Sequence, residues 1–273
     1  MKFQLNYQSL FIIIFTMLLP DLALAETKCF LAMQNNKVIK QEGDDCVSRH
    51  SPCSTFKIAL SLMGYNEGLL LDETNPQWPF KEGYLDSITS WKQPHNPTSW
   101  IKNSCVWYSQ VLTPKIGLKK FKEYVSKFNY GNQDISGDTG LNNGLTNAWL
   151  SSSLQISPQE KINFLQKLID NELPVSQKSM EMTKKILFVE NWTNGWKFYG
   201  KTGSGFLLNN DGSRNKEKPI GWFVGWVQNG NKTIVFTHYI EGKNGEEYKD
   251  FSSGKKAKEI AKEKLMQLIS ETN

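Results

Sequence analysis

Near the start of the chain, the pattern of hydrophobic and polar positions predicts a β-hairpin followed by a buried helix. Residues 29–33 and 37–41 are short strand-like runs, and the spacer Gln34-Asn35-Asn36 between them consists of residues that favour turns. From Phe56 to Met63 the sequence is almost wholly apolar, as expected for a helix that is buried over most of its surface.

Toward the end of the chain, the pattern predicts further strands and a closing helix. Residues 197–206, 221–228 and 232–240 are rich in aromatic and β-branched side chains, which favour extended structure. Gln228-Asn229-Gly230-Asn231 separates the last two runs and predicts another hairpin. Residues 253–272 return to helical spacing, with an apolar stripe made of Ala257, Ile260, Ala261, Leu265, Leu268 and Ile269.

The section between, about residues 66–190, is predicted to be mainly helical. Pro114 is expected to open one helix, and Ser157-Pro158-Gln159-Glu160 is a capping box that begins another. Val175 and Ser176 introduce a third helix, which we expect to reach about Leu187. In the first two helices the apolar residues that keep helical spacing are Phe121, Tyr124, Val125 and Phe128, then Ile162, Leu165, Leu168 and Ile169.

Strands near both ends of the chain, with helices between them, predict an α+β fold. The simplest arrangement is one antiparallel sheet built from both ends of the mature chain and flanked by N- and C-terminal helices. The helical section is then inserted between strands as a lobe of its own. At 273 residues, the chain can bury the core of two closely packed lobes.

The composition, with 39% hydrophobic and 22% charged residues, is that of a folded globular protein. The net charge of +5 is mild and the lysines are scattered, so binding to nucleic acid is not favoured. The cluster Lys255-Lys256-Ala257-Lys258 is expected to form the solvated face of the last helix.

Residues 1–25 have the layout of a secretory signal peptide. Lys2 is followed by an apolar stretch from Leu10 to Leu19, and Ala23-Leu24-Ala25 is a small-residue cleavage site. The apolar stretch is too short to span a bilayer comfortably, and later apolar runs are broken by charges. We therefore expect cleavage after Ala25 and an exported domain of residues 26–273 that has no membrane anchor.

The chain contains four cysteines, which an exported protein can oxidise to disulfides. Cys29–Cys46 is the first pair to expect. Cys53 and Cys105 lie in apolar-rich segments, where cysteine commonly acts as a small buried hydrophobe. The three histidines are widely separated and no metal-binding motif occurs, so no metal site is expected.

One lysine interrupts the apolar run that follows Ser54. If the segment is helical, Ser54 and Lys57 share a face, so the hydroxyl and the amine can meet. A buried lysine must pair or lose its proton, and a neutral amine beside a hydroxyl can generate a nucleophile. The alternative is a lysine that only extends its amine to water from a buried helix. Four other copies of S-x-x-K lie in polar or loop-like context, where lysine is simply solvated, and they begin at Ser99, Ser213, Ser252 and Ser253.

Three further short stretches carry hydroxyls or a cation. Ser104-Cys105-Val106 lies in a helical-looking segment, where Ser104 either presents a second hydroxyl or is an ordinary helix serine. Tyr130-Gly131-Asn132 is typical of a helix end and a turn. Lys201-Thr202-Gly203-Ser204-Gly205 lies in a predicted strand, whose glycines mark either a bulge or the close approach of a ligand or another backbone. Its lysine and hydroxyls suit an acyl substrate that carries a carboxylate.

The order S-T-F-K, S-x-V, Y-G-N and K-T-G, at these separations, resembles the class D, or oxacillinase-type, serine β-lactamases. The resemblance covers essentially the whole mature chain and includes Trp149 in AWLSSSLQISP. The S-D-N motif of class A enzymes is absent, and Ser104-Cys105-Val106 takes its place. The resemblance implies the fold shared by serine β-lactamases and penicillin-binding transpeptidases, and hydrolysis of penicillin-type antibiotics that confers resistance.

The resemblance also implies the catalytic roles. Ser54 would attack the β-lactam carbonyl and form an acyl-enzyme. Lys57, N-carboxylated by CO2 or bicarbonate, would be the general base, and no other cofactor is implied. Ser104 and Lys201 would pass a proton towards the leaving nitrogen.

Further residues receive supporting roles from the same resemblance. Trp149 would donate its indole N–H to the carboxylated lysine, Val106 would keep that pocket dry, and Tyr130 is a further supporting residue. The backbone N–H groups of Ser54 and Ser204 would form the oxyanion hole. The substrate-binding residues are Lys201, Thr202, Gly203 and Ser204.

The chain departs from the family near the start of the last helix, where many class D enzymes carry an arginine that holds the substrate carboxylate. Here the neighbourhood is DFSSGKKAKE, without arginine. Thr202, Ser204, Ser253 and either Lys255 or Lys256 are expected to share that task.

Two other functions would use the same nucleophilic serine and neighbouring lysine. They are a penicillin-binding transpeptidase and a β-lactam sensor that acylates without turnover. Both are usually tied to a membrane, so the cleavable leader favours a hydrolase released into the periplasm, with a small-molecule β-lactam as its partner. The preferred β-lactam, the hydrolysis of carbapenems and the oligomeric state stay open.

Overall fold

The computed structural model describes residues 26–242 and 252–271, so the predicted signal peptide lies outside the described residues. Six strands form one sheet in the order β2-β1-β6-β5-β4-β3, with every neighbouring pair antiparallel. The strands are β1 (Glu26–Gln34), β2 (Lys37–Glu42), β3 (Phe188–Asn191), β4 (Lys197–Leu208), β5 (Arg214–Asn229) and β6 (Lys232–Glu241).

Eight helices accompany the sheet in the described part of the chain, and seven of them lie between β2 and β3. None of the eight is both long enough and apolar enough to cross a membrane. The helices are α1 (Lys57–Asn66), α2 (Pro97–Lys102), α3 (Val106–Ile116), α4 (Leu118–Lys127), α5 (Gly144–Asn147), α6 (Pro158–Ile169), α7 (Gln177–Ile186) and α8 (Ser253–Glu271).

This arrangement confirms the α+β class, with a sheet from both ends of the chain and an inserted helical lobe. Helix α8 packs on one face of β4, β5 and β6, and α6 packs on the opposite face of β6 and β1. The face opposite α8 is therefore covered from the helical lobe. The central strand β5 is apolar on both faces: Trp222 and Val224 join the lobe-side core, and Phe223 and Val227 join the α8-side core.

Several local predictions are confirmed. Asn35 and Asn36 have φ of 50° and 60°, the left-handed values that a tight hairpin between β1 and β2 requires. The Ser157 hydroxyl accepts from the Glu160 N–H, and the Glu160 carboxylate accepts from the Ser157 N–H, so the predicted capping box begins α6. The Ser176 hydroxyl caps α7 by accepting from the N–H of Ser179, without a reciprocal bond.

Two local predictions are wrong. Pro114 lies inside the last turn of α3 and does not open α4. The break between these helices falls at Gly117, whose φ of 80° and ψ of 149° cannot continue a helix and which glycine adopts without steric penalty. Strand β3 was not foreseen, because its four residues at the edge of the sheet are too few to show a pattern.

The cysteines behave as predicted. Cys29 and Cys46 form a disulfide that joins β1 to the loop after β2, and Cys53 and Cys105 are buried free thiols. A disulfide restricts the unfolded chain more than the folded one, so this bond is expected to stabilise the fold.

Replacing both Cys29 and Cys46 with alanine should lower the free energy of unfolding by about 3 kcal/mol, the value expected for releasing a loop of this length. The measurement is urea denaturation of the wild type and the double variant. Reductant should shift the wild-type midpoint towards that of the variant and leave the variant unchanged. Equal midpoints without reductant would contradict a stabilising role.

Candidate active site

A cleft of about 220 Å³ opens between the helical lobe, strand β4 and the start of α8. A wider groove of about 360 Å³ beside α6 contains none of the residues predicted to be functional. The cleft brings together residues from six separate parts of the chain. Its lining consists of Ser54, Ile88, Trp91, Ser104, Val106, Leu150, Thr202, Ser204, Lys255 and Lys258.

Ser54 lies in a short 3-10 turn, Cys53–Phe56, that leads directly into α1. Cys53 has a φ of 49°, a conformation that is strained for a non-glycine residue and persists only where the surroundings impose it. The Thr55 hydroxyl closes the turn by donating to the Pro52 carbonyl at 2.6 Å. The nucleophile candidate is therefore held by a tight, locally strained loop.

The glycines of the K-T-G stretch let strand β4 lie directly against this turn. A β-carbon at Gly203 would be 3.0 Å from the Pro52 carbonyl oxygen and 3.1 Å from Thr55 Cγ2. A β-carbon at Gly205 would be 2.5 Å from Cys53 Sγ. The glycines thus mark the close approach of another backbone, which was one of the alternatives predicted from the sequence.

Lys57 is fully buried at the start of α1, and its amine lies 3.0 Å from Ser54 Oγ. Burial lowers the pKa of Lys57 to about 8, because the ammonium form loses its hydration. The titratable neighbours that act on it are the buried thiols of Cys105 and Cys53, which provide no permanent negative charge. Near neutral pH the neutral form of this amine is therefore a minority, but a far larger one than in an ordinary lysine.

Trp149 lies beside the same turn, with its ring centroid 5.5 Å from that of Phe56. The side chain is fully buried, and its indole N–H has no hydrogen-bond partner among the described residues. A buried donor without an acceptor is unfavourable, and such groups are rare in native proteins. The Trp149 N–H could therefore donate a hydrogen bond to one further acceptor placed in this part of the interior.

Ser104 lies in the turn between α2 and α3, with a φ of 54°, and not in a helix as predicted. This left-handed residue ends the α2 segment and turns the chain before α3 begins at Val106. The Ser104 hydroxyl accepts a hydrogen bond from the Lys201 amine. That amine also donates to the Thr202 carbonyl at 3.0 Å and to the Thr202 hydroxyl at 3.3 Å.

Lys201 is only 3% exposed. Its pKa is held well below the ordinary lysine value, first by burial and then by the positive charges of Lys57 and Lys258. A lysine with a lowered pKa gives up its proton more readily, which suits an amine that hydrogen-bonds to a reactive hydroxyl.

The start of α8 completes the cleft with Lys255, which was one of the two lysines expected, and with Lys258, which was not expected. Lys255 and Lys258 line it because residues three apart share a helix face, while Lys256 does not. The prediction that Lys258 belongs to a solvated face is therefore wrong: the side chain is half-buried, and burial lowers its pKa. Ser253 is buried and donates to the Ile220 carbonyl at 2.7 Å.

The remaining predicted residues lie at the border of the cleft or behind it. Val106, the first residue of α3, is 8% exposed and lines the cleft. The Ser204 hydroxyl accepts from the Gly254 N–H at 2.8 Å and so joins β4 to α8. Tyr130 does not reach the cleft: it is buried behind the nucleophile turn, with its ring 5.1 Å from that of Phe56.

Two buried serines that the sequence did not single out connect the parts of the site. The Ser51 hydroxyl donates to the Trp149 carbonyl and accepts from the Ser151 N–H, both at 2.9 Å. The Ser151 hydroxyl accepts from the Phe206 N–H at 2.9 Å, which extends the network to β4. Isolated serines carry no pattern, so only the tertiary contacts identify them.

One group of potential metal ligands exists in the described residues, formed by Asp45, His50 and Glu241. His50 Nε2 is 2.8 Å from Asp45 Oδ2, and the Tyr239 hydroxyl donates to Glu241. None of the three ligands lines the cleft. The absence of a functional metal stays a prediction.

Comparison with known proteins gives a consistent result. The family model for the penicillin-binding protein transpeptidase domain matches residues 22–266. Beta-lactamase OXA-9 of Klebsiella pneumoniae is 43% identical over 220 residues, which are 80% of this chain and 79% of that protein. Beta-lactamase OXA-1 of Escherichia coli is 40% identical over 238 residues, 85% and 82% of the two chains. The crystal structure of the OXA-427 class D β-lactamase has a TM-score of 0.83 at 43% identity, covering 89% of this chain and 98% of that one.

The fold is thus that of the penicillin-binding transpeptidases and serine β-lactamases. Within this class, the chain belongs to the class D serine β-lactamases. It is a β-lactam hydrolase, an activity that supports antibiotic resistance, and the predicted family and enzyme class are confirmed.

Proposed function

We propose that the protein hydrolyses penicillin-type β-lactams through an acyl-enzyme on Ser54, with N-carboxylated Lys57 as the general base. The observation that carries the proposal is the buried contact of 3.0 Å between Lys57 Nζ and Ser54 Oγ. The cleft in front of Ser54 adds a second amine and hydroxyl, Lys201 and Ser104, which already share a hydrogen bond.

In acylation, Ser54 Oγ attacks the lactam carbonyl carbon while its proton passes to the base at Lys57. The carbon–nitrogen bond of the ring then breaks, and the leaving nitrogen takes a proton from the Ser104 hydroxyl. Lys201, in its ammonium form, replaces that proton along its hydrogen bond to Ser104. The proton taken up at Lys57 is then released to solvent and Lys201 is reprotonated from solvent, so the base is free again for deacylation. A water molecule later cleaves the ester and regenerates Ser54.

The backbone N–H groups of Ser54 and Ser204 would bind the oxygen that becomes negative during each step. Both residues line the cleft, one at the start of the α1 segment and one on β4. Each donor in such an oxyanion hole commonly contributes about 3 kcal/mol to transition-state stabilisation.

The interior around Lys57 fits a carboxylated lysine. Only an unprotonated amine reacts with CO2, and the pKa of about 8 makes that form available. Trp149 offers a buried N–H without a partner among the described residues, and Val106 separates the pocket from solvent. The carboxylate added to the amine supplies an anionic oxygen that stays unprotonated near neutral pH, where most of the unmodified amine would be ammonium, so it can accept a proton in both half-reactions.

For the substrate carboxylate, Lys258 is the best candidate, assisted by Thr202 and Lys255 at the cleft and by Lys201 beneath it. The chain has two arginines, Arg49 and Arg214, and neither lines this cleft. Arg49 pairs with Glu160, and Arg214 with Asp138. The lysines of α8 therefore bring the positive charge to the cleft.

We also propose that the protein is exported. Residues 1–25 would be removed as a signal peptide, and residues 26–273 would form the β-lactamase domain in the periplasm. A small-molecule β-lactam is the only partner that this function requires, and we propose no cofactor besides CO2 or bicarbonate.

A penicillin should acylate Ser54 and no other serine, with steady turnover following. Mass mapping of a briefly quenched reaction locates the adduct, and a chromogenic cephalosporin reports turnover. An adduct on Ser99, Ser213, Ser252 or Ser253 would contradict the assignment. A single stoichiometric burst that stops would instead indicate a sensor or a transpeptidase. Ser54→Ala should show neither adduct nor turnover.

Activity in bicarbonate-free buffer should fall as the pH drops from about 8 towards 6, because protonation of Lys57 removes the form that binds CO2. Added bicarbonate should restore kcat and leave KM unchanged. Trp149→Phe keeps an aromatic ring but removes the N–H, so it should need more bicarbonate for the same rate. Trp192→Phe, far from the cleft, is the matched control. Full activity of degassed wild type at pH 6 would mean that Lys57 works as a plain amine.

Lys258→Ala should raise KM for a penicillin at least tenfold, since one charge-assisted hydrogen bond contributes about 1.5–3 kcal/mol. Lys256→Ala, which lies on another face of α8, should change KM little. A penicillin methyl ester lacks the negative charge and should be insensitive to both substitutions. If the ester loses as much rate as the acid, or if Lys256→Ala matches Lys258→Ala, Lys258 does not bind the carboxylate.

A further inference from the structure

A second fully buried lysine lies behind the nucleophile turn. Lys161 belongs to the first turn and a half of α6 and has no exposed surface, and it does not line the cleft. Its neighbour Glu160 points the other way, to Arg49 and to the Ser157 N–H. No ion pair of Lys161 with a carboxylate is formed within residues 26–242 and 252–271. Burying a lysine without an ionic partner costs folding free energy, which suggests that this side chain has a specific role.

The Lys161 amine donates a hydrogen bond to the Tyr130 hydroxyl. The Tyr130 ring lies against the turn that carries Ser54, in which the Thr55 hydroxyl donates to the Pro52 carbonyl at 2.6 Å. Tyr130 also packs edge-on against Phe56, with the ring centroids 5.1 Å apart. These contacts run from Lys161 on α6 through Tyr130 to Phe56, which lies two residues after Ser54 in the same turn.

The chain of contacts consists of neutral groups. Burial holds the pKa of Lys161 well below the ordinary lysine value, and the partial positive charge at the start of α6 also disfavours an ammonium ion there. The Cys53 thiol is the titratable group that acts on this amine, and burial raises the pKa of that thiol too. Burial likewise keeps Tyr130 a phenol. Removing Lys161 therefore changes a hydrogen bond and packing, with little change of charge near the cleft.

We propose that Lys161 is a positioning residue that acts through Tyr130 and Phe56 to hold the strained turn carrying Ser54. The inference rests on the proposed role of Ser54 as the nucleophile. Cys53 keeps a left-handed φ of 49° only if its surroundings enforce it, and the Lys161–Tyr130 pair forms the part of those surroundings opposite β4. Because the amine does not reach the cleft, it affects how Ser54 attacks and not how the substrate binds.

The test is the pre-steady-state acylation of Lys161→Met, which keeps the length and apolar stem of the side chain. The acylation rate constant should fall about tenfold, the effect of one buried hydrogen bond, while the dissociation constant of the initial complex stays the same. Tyr130→Phe should have a similar effect. The double variant should be no slower than the slower single variant, because both substitutions break the same connection.

Two further variants separate positioning from general stability. Lys184→Met removes a half-buried amine that donates to Asn171 in another part of the lobe, so it should leave acylation unchanged at a comparable melting temperature. Lys161→Gln retains a donor for Tyr130 and should recover part of the lost rate. It also serves as the test protein if Lys161→Met does not fold.

Wild-type acylation rates in Lys161→Met, or in Lys161→Gln when only that variant folds, would overturn the inference. So would additive effects of Lys161→Met and Tyr130→Phe, or a loss that Lys184→Met reproduces. If the wild type itself carries no adduct on Ser54, the proposed function fails first, and the inference fails with it. Mass analysis of the wild type in the same experiment distinguishes these two failures.

Discussion

The Lys57 amine lies 3.0 Å from Ser54 Oγ with no exposed surface, and the surrounding structure keeps it away from water and from carboxylates. Between about pH 8 and 10.5 the folded chain therefore binds fewer protons than the unfolded chain, so folding stability rises with pH through this window. Below it, the fold must hold a buried charge. Burial of Lys57 lowers the folding stability near neutral pH, and the same burial provides a neutral amine beside the nucleophile.

Keeping such a pair in place requires rigid contacts from both lobes. Strand β4 can lie against the turn because Gly203 and Gly205 carry no side chain. Ser51 and Ser151 join the turn, the Trp149 segment and β4 through buried hydrogen bonds. The residues around the nucleophile are thus fixed by elements far apart in the chain, which is how a protein stores local backbone strain.

The lysines of the site fall into two groups with different physical properties. Lys57, Lys161 and Lys201 are buried, and burial is the largest cause of the lowered pKa of each. They serve as hydrogen-bond donors and as proton carriers. Lys255 and Lys258 lie at the cleft itself, where an anionic substrate can reach them. All five residues are lysines, so their depth below the surface decides which of them can transfer protons and which can attract an anionic substrate.

The sequence by itself determined the fold class, the capping box of α6, the disulfide pair and the order of the motifs, because these depend on local spacing or on a family resemblance. Periodicity could not show that Ser104 ends a turn, that Gly117 separates two helices, or that Lys258 faces the cleft. Only the tertiary structure decided which lysines are buried and that the indole of Trp149 has no partner among the described residues. Burial and hydrogen bonding are set by contacts between segments that are distant in sequence, and no short pattern encodes them.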